Sequence, residues 1–275
     1  MAEEFFAGEV QAVDVHGHYG NYDQDEISEL QREIFFSADV EEVLRRARHA
    51  RTQFTIVSPL SGLTPVGRLD VLEANEEASK IVDENEGLLQ YAIINPLQRE
   101  SYDQAEDILQ RPKCVGIKIH PESHQYPIAE HGDSIFGFAA KHQTVVLAHS
   151  GDINSAPGDY VPFADCYPEA KIILAHLGNG GAAAGSPELQ VRALQRAKGD
   201  NLYIDTSSAR SILPGLLEWA VKEVGADRIL YGTDTPVYYA PMQWARVVCT
   251  DLSADEKRKI LRENAFALFD LQSYL

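Results

Sequence analysis

The sequence has 275 residues, 44% apolar and 24% charged, with 42 acidic residues against 24 Lys and Arg and a formal net charge of -18. That length supports a large buried core, and so acidic a surface repels nucleic-acid phosphates and anionic membranes, which leaves a small molecule as the expected partner. The three cysteines, Cys114, Cys166 and Cys249, stand far apart without a CxxC pair, which excludes a disulfide framework or zinc finger. The acidic start lacks a signal-peptide pattern and no apolar run reaches membrane-span length, so a cytoplasmic protein is expected.

In chain order, residues 11–18 read as a first strand, Val13-Asp14-Val15-His16-Gly17-His18 at its core. Side-chain alternation points His16 and His18 to one face and Val13 and Val15 to the other. An irregular polar stretch, 19–36, follows. Ser37 is the expected N-cap of a helix over 38–50, with Val40, Val43, Leu44 and Ala47 as its apolar stripe. Strand two is 54–57. A Gly/Pro loop leads to a long helix over 69–86, whose acidic run is its solvated face. Strand three is 88–94, and residues 101–110 read as helix. Strand four, 115–119, ends at His120-Pro121, and a helix over 128–142 follows. Strand five, 144–148, ends at His149. After a Pro-rich, partly helical stretch at 157–169, strand six, 171–175, ends at His176. The small-residue loop 178–185 has no GK[ST] after it, so it is no P-loop. A helix over 187–198, strand seven at 202–205, a helix from Pro214 to Glu223, strand eight at 228–231 and a final helix over 254–269 complete the chain.

Eight strands thus alternate with eight helices, with no linker between them. Short, continuous aliphatic strands suit a parallel sheet covered by helices. Eight such units over residues 1–275 predict one (β/α)8 TIM-barrel domain. No GxGxxG turn follows strand one to mark the alternative, a doubly wound open sheet.

Active sites in such barrels lie at the C-terminal ends of the strands. There the sequence places His16, His18, His120, His149, His176 and Asp234. Singly, each is an ordinary polar residue where a strand meets a loop. Together they form a donor set for Zn²⁺, with Mn²⁺, Fe²⁺ or Co²⁺ suited to the same ligands. A bound ion of this kind activates water and polarises a carbonyl. Lys118 shares a face with His120, where it binds a substrate carboxylate or, if carbamylated, bridges two metals. His49, His124, His131 and His142 fall away from the strand ends and read as surface or packing residues.

The ordered motifs HxH, GIKIHP, VVLAHSG, IILAHLGN and ILYGTDTP, with KILRENAFALF at the end, resemble the amidohydrolase superfamily. Among its branches they are most similar to amidohydrolase family 2, the predicted TIM-barrel metal-dependent hydrolases. The resemblance implies His16, His18, His149 and Asp234 as ligands of one ion, with Asp234 also the general acid/base. It implies that His176 holds the reacting water or the developing oxyanion, or joins Lys118 at a second metal. KIHP looks more like the one-metal branch. Lys118, His120 and Tyr238 are expected at the substrate, with Tyr22, Arg68, Tyr160 and Tyr239 as further candidates.

The expected reaction is hydrolysis of a small ester, lactone or amide. The alternative is nonoxidative decarboxylation of a small aromatic or unsaturated acid. Homo-oligomerisation stays open, with Phe35 and Phe36 placed to cover a neighbour.

Overall fold

The structure, a computed structural model, describes residues 10–23, 28–64, 70–180 and 185–275. Eight parallel strands run in the order β1 to β8 around one sheet. They are β1 (Ala12–Tyr19), β2 (Thr52–Pro59), β3 (Leu88–Ile93), β4 (Cys114–Ile119), β5 (Val145–Ala148), β6 (Lys171–Leu174), β7 (Leu202–Asp205) and β8 (Ile229–Leu230). The ring closes through the stretch after β8: Val15 N–H donates to Tyr231 O (2.9 Å), Asp234 N–H to His16 O (2.7 Å) and His18 N–H to Thr235 O (2.6 Å). The expected TIM barrel is therefore present. Among the described residues no helix is long and apolar enough to cross a membrane.

Two cores hold it. The interior is filled by residues such as Val13, Val15, Ile56, Tyr91, Leu147 and Ile173, and Phe266 and Phe269 of the C-terminal helix join that cluster. The outer layer packs the other strand faces, including Ile117, Ile119, Val146 and Ile172, against the helices.

Strict alternation fails in β1, and the failure builds the site. Val13 and Val15 face the barrel interior, so alternation alone would turn His16 and His18 outward. The β1–β2 register slips between Asp14 and Gly17. This bulge returns both histidines to the interior. Gly17 is required between them, because a Cβ there would sit 2.4 Å from Thr55 Cγ2.

Other elements follow the pattern with shifted ends. The helix expected over 38–50 is α1 (Val40–His49), and its cap is Asp39, not Ser37: Asp39 accepts from Glu42 N–H at 2.8 Å. Ser37 instead ties down the preceding loop, accepting from Tyr22 N–H. The next helix is α2 (Val71–Glu84), capped by Asp70, and Ile128–His142 forms as expected. A helix at Ala240–Val248 was not expected. The final helix is divided by a π-helical turn at Lys259–Glu263. Phe35 is exposed, whereas Phe36 turns onto the Tyr22 ring, centroids 5.4 Å apart.

Candidate metal centre and pocket

The C-terminal strand ends surround a cavity of about 250 Å³. His16 and His18 reach it from β1, Lys118 from β4 and His120 from the turn after β4. His149, His176 and Asp234 enter just past β5, β6 and β8, and Tyr22 and Tyr238 line the mouth. His176 and Asp234 have φ of 72° and 56°. Left-handed backbone at non-glycine residues is strained, and such strain concentrates at functional sites.

Three donors converge most tightly. His16 Nε2 lies 3.1 Å from His18 Nε2 and 3.5 Å from Asp234 Oδ1, and His18 Nε2 lies 3.1 Å from that same oxygen. Each imidazole is held by its other nitrogen. His16 Nδ1–H donates to Asp205 Oδ2 at 2.8 Å, and His18 Nδ1–H donates to Ser58 O at 2.9 Å. Both Nε2 lone pairs therefore turn toward the Asp234 carboxylate, with Lys118 Nζ 3.0 Å from that of His16. The donor set fits a divalent ion, and the Asp205–His16 contact is the carboxylate–histidine support typical of such sites.

Electrostatics agree. Burial, then the nearby Lys118 charge, holds the His16 imidazole well below its ordinary range, hence neutral and ready to ligate. Burial does the same for His176 and His120. Lys118 Nζ, 3.0 Å from His16 Nε2, is lowered to about 8 by its burial. Tyr22 is pushed up to about 12 by burial and by the Asp234 charge.

His149 lines the same cavity with different partners. Its Nε2 is 2.8 Å from Asp152 Oδ2 and its Nδ1 is 3.0 Å from His176 Nε2. Among the described residues, the groups whose ligand atoms lie within 4.8 Å of one another are His16, His18 and Asp234, and His16, His176 and Asp205. Tyr160 lies behind the cavity, donating to His149 O at 2.6 Å, and Tyr239 is exposed. Arg68 lies outside the described residues.

Sequence reasoning missed three supports. Asp205 ends β7 and accepts from His16 and from the backbone N–H of His176 (2.9 Å). Ser207 Oγ lies 2.8 Å from His176 Nδ1 and 3.0 Å from His16 Nδ1. Asp152 is the third. Only Asp205 carried a usable signal, an acid ending an aliphatic strand like the histidines.

The amidohydrolase family model matches residues 13–271. The chain belongs to the amidohydrolase family. No curated protein matches this family member. Solved structures share its fold at low identity. A 2,6-dihydroxybenzoate decarboxylase from Rhizobium superposes with a TM-score of 0.72 at 16% identity, covering 94% of this chain and 98% of the other. A 5-carboxyvanillate decarboxylase from Sphingomonas paucimobilis gives 0.73 at 13%, covering 94% and 99%. A dihydroxybenzoic acid decarboxylase from Polaromonas sp. JS666, with bound manganese and the inhibitor 2-nitroresorcinol, gives 0.70 at 17%, covering 96% and 98%.

Proposed function

We propose that this amidohydrolase-family chain is a metal-dependent nonoxidative decarboxylase of a small aromatic carboxylic acid. The observation that supports the reading is the buried His16–His18–Asp234 donor set at the mouth of a barrel whose near-full-length structural neighbours include decarboxylases of hydroxylated benzoic acids. The cavity is small, at the lower end of ligand pockets, and suits a single-ring ligand. These points support decarboxylation over the expected hydrolysis.

One ion is the simpler arrangement. The second group of donors reuses His16 through its other nitrogen, and its Asp205 is already engaged in holding His16 and His176. Manganese in a neighbour makes Mn²⁺ as strong a candidate as Zn²⁺. When bound, the ion supplies a Lewis-acid anchor for the acid's oxygens.

The protein's residues do the rest. Lys118 and His120 orient the acid from β4, Tyr238 closes the mouth, and the hydrogen-bonded pair His149–His176 forms the polar wall beside it. Asp234 carries the proton to the ring carbon that bears the carboxylate. The C–C bond then breaks, its electron pair restores the ring, and CO2 leaves.

The test is product analysis on a panel of hydroxybenzoic acids and lactones. CO2 release from 2,6-dihydroxybenzoate or 5-carboxyvanillate by the manganese- or zinc-loaded protein is expected. Lactone opening with no CO2 from any acid would return the chain to the hydrolase reading.

A further inference from the structure

His120 ends β4 and begins a short turn, Pro121–His124, in which its own ring serves as the cap. His120 Nδ1 accepts from Ser123 N–H at 3.2 Å. A neutral imidazole has one N–H and one lone pair. With the lone pair engaged at Nδ1, the proton must sit on Nε2. The ring is further locked by stacking on His149, centroids 4.0 Å apart and planes 11° from parallel. The backbone thus sets both the tautomer and the ring plane, and the ring lines the cavity.

The side chains around it select a ligand. The groups that act on His120 are His149, Lys118, His124 and His176; burial keeps His124 and His176 neutral, and Lys118 supplies the positive charge. Lys118 shares its face of β4, because Ile117 and Ile119 point to the outer layer. The acids of the cavity, Asp152 and Asp234, belong to the β5 and β8 loops. The β4 wall therefore presents donors and positive charge, and its complement is an oxygen atom carrying negative charge.

We infer that His120 is a specificity-determining residue, a tautomer-locked Nε2–H donor that receives an oxygen of the substrate, either of its carboxylate or of a ring hydroxyl. The inference rests on the reading that the pocket takes a small aromatic acid. It adds the group that reads the acid and the direction from which it is read.

Two substitutions separate this role from a structural one. His120→Asn keeps an acceptor for Ser123 N–H, since asparagine is a good cap, but removes the Nε2–H. His120→Gln places an amide N–H near the Nε2 position. The probes are benzoate, which offers only a carboxylate, and resorcinol, which offers only ring hydroxyls. Binding to the zinc-loaded full chain is measured by calorimetry, and 15N spectra of the histidine rings, assigned by comparison with H120N, read the tautomer.

An Nε2–H tautomer is expected in the wild type. Loss of a hydrogen bond to a charged oxygen should weaken probe binding roughly tenfold to a hundredfold in H120N, while H120Q recovers most of it. Weakening for benzoate alone assigns the contact to the carboxylate, and weakening for resorcinol alone to a ring oxygen; either supports the inference. An Nδ1–H tautomer overturns it. So does equal binding of both probes by wild type and H120N, or a wild type that binds neither. A wild type that binds benzoate but releases no CO2 from 2,6-dihydroxybenzoate defeats the decarboxylase reading and leaves the His120 assignment standing.

Discussion

Asp205 acts entirely through other residues. Fully buried behind His16, it holds the His16 tautomer that exposes Nε2 to the site. Asp205→Asn preserves the shape but presents an N–H or a weaker acceptor to His16 Nδ1. Metal affinity should fall about tenfold to a hundredfold, measured by competition with a chromophoric chelator; unchanged affinity would contradict the support role. His124 makes a different kind of prediction. It is buried, its Nε2–H donates to Gly62 O at 3.0 Å, and its Nδ1 has no hydrogen-bond partner among the described residues. Burial lowers its pKa to about 4. Between about 4 and the ordinary 6.5 the unfolded chain binds the extra proton and the folded chain does not. Stability should therefore fall as pH drops through that window, by on the order of 3 kcal/mol in total. Chemical denaturation across pH should give a shallower slope for His124→Gln; an identical slope would refute the assignment. The cavity-lining residues His16, His18, His120, His149, His176 and Asp234 could be placed from sequence because each closes an aliphatic run. Ser207 and Asp152 lie in irregular loops past the strand ends, where no periodicity marks them.

Between elements, Asn75 joins helix to barrel. Fully buried on α2, it accepts from Ile93 N–H (2.7 Å) and donates to Ile93 O (2.9 Å), completing the β3 edge of the turn toward the site. Asn75→Ala leaves both backbone groups buried and unpaired. A loss of about 2–4 kcal/mol is expected from two such groups, lowering the melting temperature by roughly 5–10 °C. Activity per folded, metal-loaded molecule should not change; a melting temperature within a degree of wild type would contradict this. Strand order and the alternation of elements were readable because buried parallel strands are short aliphatic runs. The bulge in β1 was not, since it arises from the β1–β2 register and not from β1 itself. The helix at Ala240–Val248 was hidden by Pro241, which looks like a breaker yet sits in the first turn, where a missing N–H costs nothing.

For the whole molecule, the barrel explains why ligands distant in sequence meet. Parallel strands bring eight C-terminal ends to one rim, so His16 and Asp234 become neighbours across the closure of β1 and β8. The acidic net charge of -18 spreads over the outside, while the β4 wall turns basic groups inward, so an anionic ligand meets a local field opposite to the global one. The fold is carried by pattern and therefore legible, as is the rim on which the histidines and Asp234 stand. The choice between hydrolysis and decarboxylation depends on a few pocket side chains, which pattern does not record. The measurement that bears most directly on the account is CO2 release from 2,6-dihydroxybenzoate as manganese is titrated into chelator-stripped protein. The rate should rise in proportion to bound metal and level off at one ion per chain. A rate unaffected by stripping, or metal-loaded protein that forms no CO2, would contradict it.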